Sequence, residues 1–170
     1  MATPGLRSTR EERDRLLSEF VRLCEIASPS RQERPMADAV TAELCAMGLA
    51  VSEDGSGPET GSDAGNLLAR IDGPPGARTI MLCAHLDTVP LDAEVDVELT
   101  DDGVYQNRHE AILGADNKAA VAVMLEAARR LVASGSPVGV ELLFTTCEEL
   151  ALAGAKAFDR SALQADFGFV

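Results

Sequence analysis

An imidazole and a carboxylate close an apolar run in "MLCAHLDTVP", residues 81–90. His85 and Asp87 stand two positions apart, so on a strand their side chains share a face. Pro90 soon follows and ends any strand there. In open α/β sheets, ligands bind beyond the carboxyl ends of the strands. His85 and Asp87 therefore lie where a site is expected. A hydrogen-bonded core histidine followed by a capping aspartate is the other reading of the same spacing.

Two further stretches carry the same kind of signal. In "ILGADNKAAVAVMLEAA", Asp116 directly precedes a helical pattern and follows small apolar residues, so it is expected off the open surface. It reads either as a helix N-cap or as a ligand. In "LLFTTCEELALAGA", Glu148 and Glu149 follow an apolar strand. Adjacent carboxylates there repel each other and lose solvent; the alternative is the acidic first turn of a helix. Together, His85, Asp87, Asp116, Glu148 and Glu149 supply one imidazole and four carboxylates on one rim. That donor mixture suits zinc or a similar divalent metal. Paired metals activate water for hydrolysis, and a spare glutamate can take the water's proton.

The elements that must position these groups are legible from periodicity. Ser8 and Glu11 form a capping box before a helix over residues 9–26, with Leu17, Phe20, Val21 and Cys24 on its apolar face. Ser30 and Glu33 form a second box before a helix with Ala37, Val40, Leu44 and Met47 inward, ended by Gly48. Residues 50–52 read as a short strand. "EDGSGPETGSDAG" reads as a flexible loop. Strands are expected at 66–71, 79–84 and 140–145, a hairpin around Asp102-Gly103, helices at 117–134 and 152–158, and a last strand at "ADFGFV". Strands alternating with helices imply an α/β fold, a layered sheet with flanking helices.

Composition narrows the function classes. The net charge of −13 argues against nucleic acid, which needs clustered Lys and Arg. No apolar run approaches the roughly 20 residues of a membrane helix, and the N-terminus lacks the apolar middle of a signal peptide. A cytoplasmic protein with no membrane partner is the expectation. Cys24, Cys45, Cys83 and Cys147 form no C-x-x-C pair, and each is expected as a buried, reduced thiol.

"HLDTVP", "GADNKAA", "CEELALAGAKAF" and the preceding "GSDAGNLLARI" resemble the aminoacylase and carboxypeptidase family of di-zinc metallohydrolases, and within it the peptidase T-like, tripeptide aminopeptidase branch. The resemblance runs from about residue 10 to the end of the chain. It implies a zinc exopeptidase that hydrolyses small peptides with two divalent metal ions. His85 would bind one metal, Asp116 would bridge both and Glu149 would bind the other. Asp87 would orient His85, and Glu148 would be the general base. Asn117 and Lys118 receive no chemistry, and His109 reads as a surface loop histidine. Members of the family are much longer. They use a further carboxylate and a histidine that these 170 residues do not supply, and an inserted domain that often forms a homodimer. Residues 1–170 are thus expected to be the N-terminal portion of a catalytic domain, inactive alone. A related N-acyl amino acid deacylase or carboxypeptidase is the alternative.

Overall fold

The computed structural model describes residues 7–170. In chain order the elements are α1 (Arg10–Cys24), α2 (Arg34–Ala46), β1 (Val51–Glu53), α3 (Gly57–Thr60), β2 (Leu67–Ile71), β3 (Thr79–His85), β4 (Val97–Leu99), β5 (Tyr105–Asn107), α4 (Ala115–Ser134), β6 (Gly139–Thr145), α5 (Ala153–Ala157), a 3₁₀ turn (Arg160–Ala162) and β7 (Phe167–Phe169). Five strands form one sheet in the order β1-β2-β6-β3-β7. β3 runs parallel to β6 and to β7, while β1-β2 and β2-β6 are antiparallel. β4 and β5 make the expected hairpin as a separate two-stranded sheet. This is the expected mixed α/β architecture, with helices flanking a central sheet.

The core lies mainly on one face. Leu23, Met36, Val40, Leu44, Val121 and Leu125 from the three long helices pack on Leu67, Ala69, Leu142 and Phe144 of the sheet. The other face carries a smaller cluster of Leu68, Leu143 and Phe158. All seven residues of β6 are buried, as befits a central strand. β7 is exposed along its length and forms one edge. No helix among the described residues is long and apolar enough to cross a membrane.

Several local expectations are corrected. The sequence "STREERD" admits two overlapping capping boxes, and α1 uses the second. Thr9 Oγ1 accepts from the Glu12 amide at 3.1 Å, while the Glu12 carboxylate accepts from the Thr9 amide at 2.6 Å. Ser8 stands outside and its carbonyl accepts from Arg13 at 2.7 Å. The buried face of α1 is rotated accordingly. Leu23 and Cys24 are buried, Leu16 and Phe20 pack on the core, and Leu17 is 42% exposed. The expected box at α2 does not form, because its partners are drawn elsewhere. Ser30 donates to Asp87, and Glu33 turns inward with no capping bond. Cys24 and Cys147 are buried, but Cys45 is exposed and Cys83 only partly covered; all four are free thiols.

The loop after β1 is ordered. Asp54 accepts from the Ser56 amide (3.0 Å), the Ser56 hydroxyl (2.5 Å), and the Asn66 amide (2.9 Å) and side chain (2.8 Å). Burial pushes the Asp54 carboxyl up, but these hydrogen bonds outweigh it and hold its pKa below the usual range. A depressed folded-state pKa gives stability that is present above the unfolded value, near 4, and lost as pH falls through the folded value. The denaturation midpoint of Asp54→Asn should therefore fall less between pH 7 and pH 3 than that of the wild type. Parallel acid profiles in urea titrations would contradict this.

Candidate metal centre

Two parallel neighbours build the site. β3 and β6 pair with His85 opposite Thr145, so their carboxyl ends reach the same rim. The chain leaving β3 carries Asp87, and the chain leaving β6 carries Glu148 and Glu149. α4 begins at that rim, where its Asp116 carboxylate meets the His85 ring. A parallel strand pair places equivalent ends together, which is why residues distant in sequence converge here.

His85 is buried. Its Nδ1 lies 2.8 Å from the Asp87 carbonyl oxygen. A carbonyl only accepts, so Nδ1 carries the proton and Nε2 is left facing the cluster. Nε2 is 3.1 Å from Asp116 Oδ1 and 4.0 Å from Glu148 Oε2. Burial favours the neutral ring, but Asp87 and Asp116 outweigh it and push the His85 pKa up to about 9.

The Asp87 carboxylate is expected to orient the ring, and its Oδ1 is 3.5 Å from Nδ1. The short bond to the ring comes instead from the Asp87 backbone. The carboxylate itself accepts from Ser30 Oγ at 2.7 Å, the Glu148 amide at 2.8 Å and the Glu149 amide at 3.1 Å. Turn amides without ladder partners need acceptors, and a buried carboxylate can serve several. Burial raises the Asp87 pKa, but the bonds from His85, Ser30 and the two amides more than reverse that and leave it lowered.

Asp116 departs from expectation in one respect. Its side chain is 84% exposed. Gly114, buried and left-handed (φ 77°), turns the chain at the rim, so the next polar side chain projects past the strand ends. Its carboxylate bonds to His85 rather than to a helix amide. The Asp116–Asn117 peptide bond is cis. Glu148 and Glu149 are not in a first helical turn either; α5 begins only at Ala153. Burial and then the neighbouring Glu148 charge raise the Glu149 pKa. His109 stays on its loop, 43% exposed and 3.8 Å from Glu94. Lys118 is fully buried and donates to the carbonyls of Cys24 and Ile26, which ties α4 to the end of α1. Burial lowers its pKa to about 8.

The donor set fits a divalent cation. Ligand atoms of His85, Glu148 and Glu149 lie within 4.8 Å of one another. Asp116 adds a carboxylate beside the same imidazole nitrogen. Four carboxylates around one imidazole carry excess negative charge that a zinc or manganese ion would balance. A cleft of about 570 Å³ runs beside the cluster, lined among others by Ser30, Val89, Leu91 and Glu149.

The turn bearing the glutamates is tightly packed. Cys147, Ala151 and Leu152 all have left-handed backbones (φ 50°, 58° and 62°). Such conformations cost of order 1–3 kcal/mol each and persist where surroundings over-determine them. Gly154 contributes to that constraint, because an added Cβ would lie 2.2 Å from the Thr146 carbonyl oxygen and 2.8 Å from Asn66 Oδ1. Gly154→Ala should therefore destabilise the fold by about 1–3 kcal/mol, the usual range for overpacking. An unchanged urea midpoint would show the turn to be slack.

Sequence reasoning passes over two buried groups beside this turn. Glu33 reads as a member of a capping pattern and Asn66 as a strand start. Their clue is a polar residue flanked by apolar ones, a weak signal.

Known proteins share this sequence pattern and fold. The sequence profile of peptidase family M28 matches residues 66–169. The uncharacterized protein YqjE of Bacillus subtilis is 35% identical over 156 residues, which cover 91% of this chain and 42% of YqjE. The crystal structure of a tripeptidase from Staphylococcus aureus superposes with a TM-score of 0.86 at 32% identity, covering 91% of this chain and 42% of that one. That of aminopeptidase PepT from Bacillus cereus gives 0.86 at 34%, with the same coverage. The chain thus spans less than half the length of these relatives. A matched profile across most of the sheet, with peptidase folds as structural neighbours, places the chain in peptidase family M28.

Proposed function

We propose that the chain is the N-terminal portion of the catalytic domain of a metal-dependent exopeptidase that hydrolyses small peptides. The observation that carries this reading is the meeting of His85 Nε2, Glu148 and Glu149 at the carboxyl rim of β3 and β6. Similarity to a tripeptidase and an aminopeptidase supports the small-peptide substrate. Two divalent ions, zinc by preference, would be held by His85 on one side, Glu149 on the other and Asp116 between them. Such ions, when bound, polarise the scissile carbonyl and activate water.

The chain's own residues do the rest. The Asp87 carbonyl fixes the His85 tautomer, so that Nε2 is the donor atom. Glu148 stands at the cluster with its side chain partly open to solvent. It takes the proton of the attacking water and returns it to the leaving amine. Both glutamates are aimed by the Asp87 carboxylate through their amides. The remaining ligands would come from sequence outside these 170 residues, in keeping with the 42% coverage of relatives.

The test is a panel of di- and tripeptides and N-acyl amino acids offered to the full-length protein, with its metal content measured. Turnover of the peptides and bound metal are expected. Hydrolysis of N-acyl amino acids alone would move the protein to the deacylases, and turnover unaffected by a chelator would remove the metal from the reaction.

A further inference from the structure

Four consecutive amides, residues 146–149, are each held by a side chain from elsewhere in the chain. Thr146 N donates to Asn66 Oδ1 at 3.1 Å, and Cys147 N to Glu33 Oε1 at 3.0 Å. Glu148 N donates to Asp87 Oδ1 at 2.8 Å, and Glu149 N to Asp87 Oδ2 at 3.1 Å. All three acceptor residues are essentially inaccessible to solvent. Glu33 is the least expected of them. It is 0% exposed, at the start of α2, and more than a hundred positions from its partner. Its Oε1 also accepts from the Cys147 thiol at 3.3 Å, and its Oε2 from Ser62 Oγ at 2.6 Å.

A buried carboxylate is costly unless its hydrogen bonds are satisfied. Here it takes three, and two of them come from Cys147, which has the left-handed backbone (φ 50°) just before Glu148. The direction of the next two side chains depends on that dihedral. Without an acceptor for its amide, Cys147 loses one of the contacts that hold it in a conformation that L-residues disfavour.

We infer that Glu33 is a positioning residue of the metal centre, holding the Cys147 amide so that Glu148 and Glu149 face His85. The inference rests on the metal reading of the cluster and extends it to a residue that contacts neither metal nor substrate. Asn66 has the same role at the preceding amide, and it also donates to the Gly154 carbonyl at 3.0 Å on the far side of the turn.

Cobalt(II) titration of the full-length protein, read by its visible absorption, tests this. Glu33→Met fills a similar volume without an acceptor. Its cobalt affinity should fall about 10–100-fold, the usual cost of losing a group that supports metal ligands, with an altered band shape. Glu33→Gln keeps an oxygen for the Cys147 amide and should restore both. Glu141→Gln is the control. That buried carboxylate is bonded to Arg70 and to the amides of Gln164 and Ala165. It should lower the melting temperature but leave cobalt affinity within about twofold, since it supports no metal ligand. Wild-type affinity and spectrum in Glu33→Met would overturn the inference. If Glu33→Met does not fold, Ser62→Ala carries the test: it frees Glu33 Oε2 and should weaken cobalt several-fold, and wild-type affinity would again overturn it. Glu149→Gln separates the two layers. If it binds cobalt as wild type does, the metal reading fails by itself. Amide exchange then decides for Glu33: faster exchange at 147–149 in Glu33→Met upholds its hold on the turn, and unchanged exchange refutes it.

Discussion

Glu148→Gln in the full-length protein should lower kcat by about 10²–10⁴-fold, the range that general acid–base catalysis contributes, and leave the bound metal in place. The exchange preserves the shape of the side chain and removes its basicity. Metal should stay because His85, Asp116 and Glu149 are untouched, and because the Glu148 amide, not its carboxylate, is what Asp87 holds. Glu149→Gln should differ in kind, losing metal along with turnover. Kinetics and metal analysis on the same samples distinguish the two residues, although they are adjacent and both belong to the cluster. Equal turnover in Glu148→Gln and the wild type would reduce Glu148 to a turn residue.

Residues 1–170 purified alone should show no measurable peptide hydrolysis, a loss at least as large as that of the Glu148 variant. Catalytic zinc is usually held by about three protein ligands with one open position. On the proposed assignment the rim would offer His85, Asp116 and Glu149 for two ions, with Asp116 shared. Each ion would then have about two protein ligands, too few for a tight catalytic site. The exposed side chains of β7 compound this. Phe167 and Phe169 are 47% and 60% exposed on a sheet edge, the kind of edge that recruits other chains. Zinc-supplemented assays on di- and tripeptides check it. Robust turnover that vanishes in Glu148→Ala would mean that these residues suffice, or that a second copy completes the site.

The sequence is most informative where periodicity and chemistry coincide. β3, β6 and α4 can be read to within two residues of their bounds, because each is an apolar run closed by a polar residue or a breaker. The three motifs are also legible as one rim, since a parallel pair aligns its carboxyl ends. The partners of side chains are what cannot be read. Ser30 and Glu33 sit at capping spacing, and nothing local reveals that one reaches Asp87 and the other Cys147. The same holds for "EDGSGPETGSDAG", which has the composition of a mobile loop but is closed by Asp54 and Asn66. Asp116 shows the opposite error. Small apolar neighbours suggest enclosure, but a left-handed glycine turns the chain at the rim and Asp116 is exposed there. In each case a tertiary contact or one backbone dihedral overrides the local pattern.

The most direct measurement is a crystal of the full-length protein grown with zinc and examined by anomalous scattering at the zinc edge. A peak is expected about 2.0–2.2 Å from His85 Nε2, the bonding distance of zinc to imidazole, with carboxylate oxygens of Asp116 or Glu149 completing its contacts. A map with no anomalous peak at the β3–β6 rim, or with zinc bound only at His109 or another surface residue, would contradict the metal centre and the hydrolytic chemistry that depends on it.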